Sequence, residues 1–346
     1  MLNHATASSS APAAASSGLD ALIAPRAIAV VGASDRPGAG SNVLNNLRKL
    51  GFAGPVYPVN PKYVELSGWR CYPSLADLPG PVDTVAILLG HKQVLSTLEQ
   101  VNAIGCKAAW VLASGFGEAG PEGEAAQADL IAYARTHNIA VCGPNCIGVV
   151  SPHARVATYS VALPTTLRPG PIGAVVQSGA VCLGLANSNR GIGFSTLISS
   201  GNEAVLDNAD YIAYLVDEPH TRVIVAFVEG FKSPAKFVRA ADRALAAGKP
   251  LLVVKVGRSE VAQRATMAHT GSLAGADAVH DAVFRKHGVM RLDSLDELLE
   301  AAELFSRAPL PAGRGVAILT LSGGQIGLIG DLAQGLDLHL PTLSET

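Results

Sequence analysis

The chain has 346 residues, 49% of them hydrophobic and 5% aromatic, and a formal net charge of −2. That length predicts two to three domains, and the abundance of Gly and Ala suits close-packed α/β layers rather than disorder. Near-neutrality without a basic block argues against nucleic acid as a partner. No run approaches about 18 uninterrupted apolar residues, so no membrane span is expected. The five cysteines, at 71, 106, 142, 146 and 182, are scattered and odd in number. Cys142 and Cys146 have no second Cys/His pair at zinc spacing, so no metal site is expected and a reduced, cytoplasmic protein is favoured.

Residues 1–18 are mostly Ala, Ser and Pro with no basic region or apolar core, and read as a disordered tail rather than a signal peptide. From there β-rich apolar runs alternate with helical patterns. Strands are expected at Ala27–Val31, Val56–Val59, Val82–Leu89, Ala108–Leu112 and Ile139–Val141. Helices are expected up to about Leu50 and at about 92–104 and 122–137. Alternation with short loops implies βαβ units and a parallel sheet, whose ligands bind beyond the carboxyl ends of the strands. Ser151–Pro171 has no clear period and four prolines, and is taken as a boundary. A second alternating set follows, with strands at about 172–176, 196–198, 223–228 and 251–255. Asp293-Ser294-Leu295-Asp296-Glu297 reads as a helix start. Past the linker at Pro309–Gly313, Gly315–Leu321 reads as a strand and Ser322-Gly323-Gly324 opens a helix to about Gly335. One βα unit cannot cover a sheet, so this is read as the start of a third domain. The domains are thus 19–150, 151–309 and an incomplete 310–346.

Three kinds of segment carry chemistry. Gly32-Ala33-Ser34 ends the first strand, with Gly38, Gly40 and Ser41 opening the next helix; small residues there let a backbone approach phosphates at a helix N-terminus. The pattern is not G-x-G-x-x-G, and Val59-Asn60-Pro61-Lys62 stands where an NAD enzyme carries an acid for the ribose. NAD is therefore disfavoured, and a phosphate-decorated nucleotide such as NADP or coenzyme A fits better. Ser114-Gly115-Phe116-Gly117-Glu118 and Cys142-Gly143-Pro144-Asn145-Cys146 lie at further strand ends. Cys146 has no dedicated His base and reads as structural or site-lining rather than nucleophilic. Finally, His269 sits among small residues in Ala268-His269-Thr270-Gly271-Ser272. Gln177-Ser178-Gly179-Ala180, which opens a helix, and Glu229, which ends a strand, could face it. An imidazole with a carboxylate to fix its tautomer and helix amides to hold phosphate oxygens suits phosphoryl transfer. Taken alone, His269 reads more readily as a surface-loop residue beside a helix; the rest of the chain reverses that.

In order along the chain, Gly32-Ala33-Ser34, Asn60-Pro61-Lys62, Gly143-Pro144-Asn145-Cys146, Gln177-Ser178-Gly179-Ala180, Gly201-Asn202-Glu203, Glu229-Gly230 and Ala268-His269-Thr270-Gly271 resemble the NDP-forming acyl-CoA synthetases, relatives of the succinyl-CoA synthetase α subunit. The resemblance covers about residues 22–305. It implies a Rossmann-like CoA-binding domain followed by a flavodoxin-like ligase domain. His269 matches the phosphohistidine and Glu229 the carboxylate that orients it. Ser178, Gly179 and Ala180, with Thr270 and Gly271, match the phosphate cradle. Gly32, Ala33, Ser34, Gly40, Ser41, Asn60, Lys62, Ser114, Gly115 and Asn145 fall where coenzyme A is held. The implied reaction makes an acyl-CoA from a carboxylic acid, CoA and a nucleoside triphosphate through phosphohistidine and acyl phosphate. ATP and ADP, with Mg, would enter through an ATP-grasp β subunit or fused domain not found in this chain, which implies an oligomer. Three other readings stay open: a CoA or metabolite sensor from an acyltransferase fusion, an NADP-dependent oxidoreductase, and a non-catalytic CoA-binding module. Neither the acid nor the preference for ATP or GTP is legible in these residues.

Overall fold

The computed structural model describes residues 13–259, 261–262, 277–308, 313–336 and 338–342, with side chains from Gly18 onward. The chain divides into two compact units, Met1–Ser306 and Arg307–Thr346.

The larger unit holds two sheets. The first contains β1 (Ile28–Val31), β2 (Val56–Val59), β5 (Thr84–Ile87), β6 (Ala108–Val111) and β7 (Ala140–Cys142), all parallel, in the order β2-β1-β5-β6-β7. A small hairpin, β3 (Glu65–Leu66) with β4 (Trp69–Arg70), interrupts the path from β2 to β5. The second sheet has β8 (Gly148–Ser151), β9 (Val156–Tyr159), β10 (Pro169–Val176), β11 (Phe194–Ser199), β12 (Val223–Val228), β13 (Leu251–Lys255) and β14 (Val289–Leu292). Its order is β14-β13-β12-β10-β11-β8-β9. Its parallel part, read from β11 to β14, repeats the pattern of the first sheet: the second strand lies outside the first, and the third, fourth and fifth follow on the other side. Strands β1, β6 and β12 are apolar throughout because helices cover both faces of a parallel sheet.

Several expected elements shift. Ser151–Pro171 is not a plain linker: β8 and β9 pair antiparallel and extend the second sheet through β11. Both strands are buried on both faces, which erased the alternation that would have marked them. A helix begins at Ala13, inside the stretch read as a tail, and packs Leu19, Leu22 and Ile23 into the core. Asp207 and Asp210, which sequence alone suggests are solvated, form a capping box on helix Asn208–Asp217 and pair with Lys236. The start of helix Leu295–Arg307 is capped as its residues suggest: Ser294 Oγ accepts from Glu297 N (3.1 Å) and the Glu297 carboxylate from Asp293 N (2.8 Å).

One apolar cluster runs from Ile28 and Val30 through Trp110 and Cys146 to Ile224 and Ala226, so the two sheets share a core. Helix Ala39–Leu50, which belongs to the first sheet, also packs on β9: Asn46 Nδ2 donates to the carbonyls of Tyr159 (2.9 Å) and Val161 (2.8 Å), and Asn46 Oδ1 accepts from Leu163 N (3.0 Å).

In the smaller unit, Gly315–Leu321 does not form the expected strand. Among the described residues it makes one isolated bridge, between Gly315 and His339, followed by helix Gly323–Gln334. A strand without a sheet to join leaves its ladder groups to water, and Leu319 and Leu321 are exposed accordingly.

Candidate functional site

In each sheet the chain turns in opposite directions from two adjacent strands, β1 and β5 in the first and β10 and β12 in the second. The loops after those strands diverge and leave a crevice at the carboxyl end.

In the first sheet, β1 runs into Gly32 (φ +84°), Ala33 and Ser34. A Cβ on Gly40 would lie 2.8 Å from Ser34 N and 2.9 Å from Gly32 O, so only glycine lets the helix N-terminus sit against this loop. Ser41 is a capping residue: its hydroxyl donates to Gly38 O (3.0 Å) and accepts from Gly38 N (3.2 Å). Asn60 Nδ2 donates to Ala33 O (2.8 Å), tying the loop after β2 to the loop after β1. Ser34 Oγ accepts from Arg36 N (3.0 Å). Lys62 is exposed beside this loop, with no ion pair among the described residues. The loop thus has the closely packed small residues that a pyrophosphate would require, with Lys62 two residues beyond the Asn60 that ties to it.

In the second sheet, Ser178 caps helix Gly179–Ala186, its Oγ accepting from Val181 N (3.4 Å). The first amides of a helix have no intrahelical acceptor, so those of Gly179 and Ala180 are available to an anion. Glu229 stands across the crevice at the end of β12. Between them lies a cavity of about 300 Å³ whose lining includes Asn145, Ser178, Gly179, Ala180, Glu229 and Lys232. The structure therefore brings together five of the sequence-selected residues. Gly32, Ala33, Ser34, Gly40, Ser41, Asn60 and Lys62 sit instead in the first-sheet crevice, and Ser114 and Gly115 outside the cavity. His269, Thr270 and Gly271 lie outside the described residues.

In the loop after β6, the amides of Gly115 and Phe116 donate to Glu118 Oε1 (2.6 and 3.3 Å). Burial alone would raise the Glu118 carboxyl, but Asn202 and these two amides hold it below the usual carboxylate range. Gly117 and Glu118 line the cavity, so this loop presents a carboxylate there rather than open amides. Asn145 takes a left-handed conformation (φ +57°), and its Nδ2 donates to Asn202 Oδ1 (3.2 Å). Gly201 (φ +60°) allows this contact, since a Cβ there would meet Pro144 O at 2.3 Å. Cys146 lines the cavity, but burial and neighbouring Cys142 push its thiol well up, and Trp110 Nε1 donates to its Sγ (3.0 Å). It is therefore a poor nucleophile.

Sequence reasoning passed over Glu118, Gln127, Gln177 and Lys232 as individual site residues. Gln177 carried the best signal, because its neighbours formed a motif at a strand end. Gln127 lies mid-helix and carried none.

A CoA-binding domain model matches residues 26–152, and a model described as the succinyl-CoA ligase-like flavodoxin domain matches 169–305. The chain is 38% identical over 331 residues to the α subunit of the ADP-forming acetate–CoA ligase I of Pyrococcus furiosus, covering 93% of this chain and 71% of that one. This chain belongs to the ADP-forming acyl-CoA synthetases. A trans-feruloyl-CoA synthase of a prokaryote is also 38% identical over 335 residues, but this chain spans only 47% of it. Among solved synthetase structures, acetyl-coenzyme A synthetase 1 of Candidatus Korarchaeum cryptofilum, in complex with phosphate and ADP, superposes with a TM-score of 0.88. Its identity is 34%, over 95% of this chain and 71% of that chain. The chain thus spans about seven-tenths of the two Pyrococcus furiosus α subunits and about half of the two acetate–CoA ligases of Archaeoglobus fulgidus that it matches.

Proposed function

We propose that this chain is the CoA-binding and phosphoryl-carrying part of an acyl-CoA synthetase, completed by an ATP-grasp subunit or domain that phosphorylates it. The observation that carries this reading is the Ser178–Ala180 helix N-terminus facing Glu229 across one cavity, at the crevice of the second sheet. Helix amides suit a phosphoryl group, and a carboxylate suits the Nδ1–H of an imidazole whose Nε2 is to attack phosphorus. His269 is the carrier. Unphosphorylated carboxylic acids are poor electrophiles, and passing the phosphoryl from His269 to the acid gives an acyl phosphate with a good leaving group. The CoA thiol attacks its acyl carbon, and phosphate departs into the amides of Gly179 and Ala180. The Gly32–Ser34 loop, with Asn60 and Lys62, holds the CoA phosphates so that the thiol reaches the cavity.

Intact-protein and peptide mass spectrometry after incubation with acyl-CoA and phosphate tests this, beside His269→Ala. An acid-labile phosphoryl on the His269 peptide, absent from the variant, is expected. CoA binding with no phosphorylation by any acyl-CoA in a broad panel would instead leave a sensor or binding module.

A further inference from the structure

The turn at Glu229–Gly230 is held in an unusual way, because every one of its backbone polar groups is met by a side chain. Glu229 N and Gly230 N both donate to Gln177 Oε1 (2.5 and 3.1 Å). Gly230 O accepts from Gln177 Nε2 (2.8 Å) and Asn208 Nδ2 (3.4 Å). Glu229 O accepts from Lys255 Nζ (3.0 Å). Three elements, at the ends of β10 and β13 and the start of helix Asn208–Asp217, thus grip one turn. Behind two of these side chains sits Glu203, 4% exposed and in a left-handed conformation (φ +54°). Its Oε1 accepts from Ser200 Oγ (2.8 Å), its Oε2 from Asn208 Nδ2 (3.1 Å), and its carboxyl also hydrogen-bonds Gln177.

We infer that Glu203 is a positioning residue for Glu229: as a carboxylate it orients Gln177 and Asn208, and through them fixes the turn that aims the Glu229 side chain. This rests on the role given to Glu229 above. The chemistry of the donor set makes the ionised form the organising one. The Asn208 amide and the Ser200 hydroxyl both present hydrogens to Glu203, and Gln177 likewise favours its anion. Protonation of Glu203 lets Ser200 Oγ turn to accept the new O–H, but it removes the negative charge that the Gln177 and Asn208 amides meet, which weakens their hold on the turn. Among the described residues, the charged and titratable groups around it are few. Asp207 precedes the helix start and is paired with Lys236; Tyr211 lies on that helix; and Glu118 reaches the same loop through Asn202. Burial, with Asp207 adding to it, pushes the Glu203 carboxyl up to about 7, against the hydrogen bonds from Gln177, Ser200 and Asn208. The clamp consequently titrates in the range where an imidazole becomes nucleophilic.

Two readouts test this in the whole chain. Backbone amide NMR shifts of Glu229 and Gly230, followed from pH 5 to 9, should move together with a midpoint near 7 in the wild type and stay flat in Glu203→Gln. The rate of His269 phosphorylation by acetyl phosphate should fall on the order of tenfold to a hundredfold in Glu203→Gln at pH 8, with CoA affinity unchanged. Below pH 6 the wild-type log rate should rise with a slope near about two, reflecting two deprotonations, and the variant's with about one. Asn208→Ala, which removes one buttress only, should lose about tenfold and serves where Glu203→Gln does not fold. Amide shifts insensitive to Glu203, or identical pH profiles in wild type and variant, would overturn the inference. If neither acetyl phosphate nor any acyl-CoA of the panel with phosphate labels the wild type, the functional reading fails on its own, and the amide titration still decides the role of Glu203.

Discussion

Asn46 gives the sharpest test of how the two sheets are joined. It is 2% exposed and makes three hydrogen bonds from helix Ala39–Leu50 to the segment Tyr159–Leu163. Asn46→Ala strands the Tyr159 carbonyl and the Leu163 amide in an apolar setting, while the half-exposed Val161 carbonyl can turn to water. Each unmet buried group costs about 1–3 kcal/mol, so the change should destabilise by roughly 3 kcal/mol. Asn46→Leu restores the lost volume without restoring any hydrogen bond, and should cost nearly as much. The remaining ties, from Asn42 Nδ2 to Ser160 O (2.8 Å) and Lys49 Nζ to Leu163 O (2.6 Å), are less buried and do not replace them. Urea unfolding of the three proteins at one pH, with slopes compared to confirm a common denatured state, measures this. A leucine variant as stable as the wild type would refute the reasoning, because packing rather than polar satisfaction would then hold the helix to β9.

The remaining predictions concern the site and its pH dependence. Gly40→Ala drives a methyl into Ser34 N and Gly32 O, so CoA affinity measured by calorimetry should drop at least about tenfold while the fold persists. Gly201→Ala collides with Pro144 O and Asn145 O and imposes a left-handed alanine, which should destabilise by about 2 kcal/mol or more and distort the cavity. Glu229→Gln should leave CoA binding intact and abolish most labelling of His269. The Glu203 carboxyl, raised from 4.5 to about 7 in the folded chain, is favourable while protonated. Its contribution is therefore complete below pH 4.5 and lost as pH rises through 7, about 3 kcal/mol across that window. Glu203→Gln should flatten the fall in stability between pH 5 and 8, as denaturation midpoints would show.

Much of this was legible in the residues because the physics is local. Short apolar runs separated by helical periods announce parallel strands, and glycines such as Gly32 and Gly40 mark where backbone must approach backbone. Ordered motifs such as Gln177-Ser178-Gly179-Ala180 and Glu229-Gly230 lie at strand ends, where a parallel sheet exposes its ligand-binding edge. What escaped depended on partners far away in sequence. β8 and β9 lacked period because both of their faces are covered. Asp207 reads as a solvated acid until Lys236, on another helix, is placed beside it. Nothing local to Gly115 shows that its amide is met by the Glu118 carboxylate folding back onto it.

The sequence by itself determined the class of fold and the crevices, since hydrophobic period and turn residues act over a few neighbours, and the ordered set of motifs carried the resemblance to the family. Only the tertiary structure decided that Gln177, Asn208 and Lys255 grip the Glu229 turn, with Glu203 buried behind two of them. Those four side chains come from segments spread over 79 positions of the chain, Gln177 to Lys255 counted inclusively. Their hydrogen bonds exist because four separate chain segments converge beside the Glu229 turn, which no local pattern can encode.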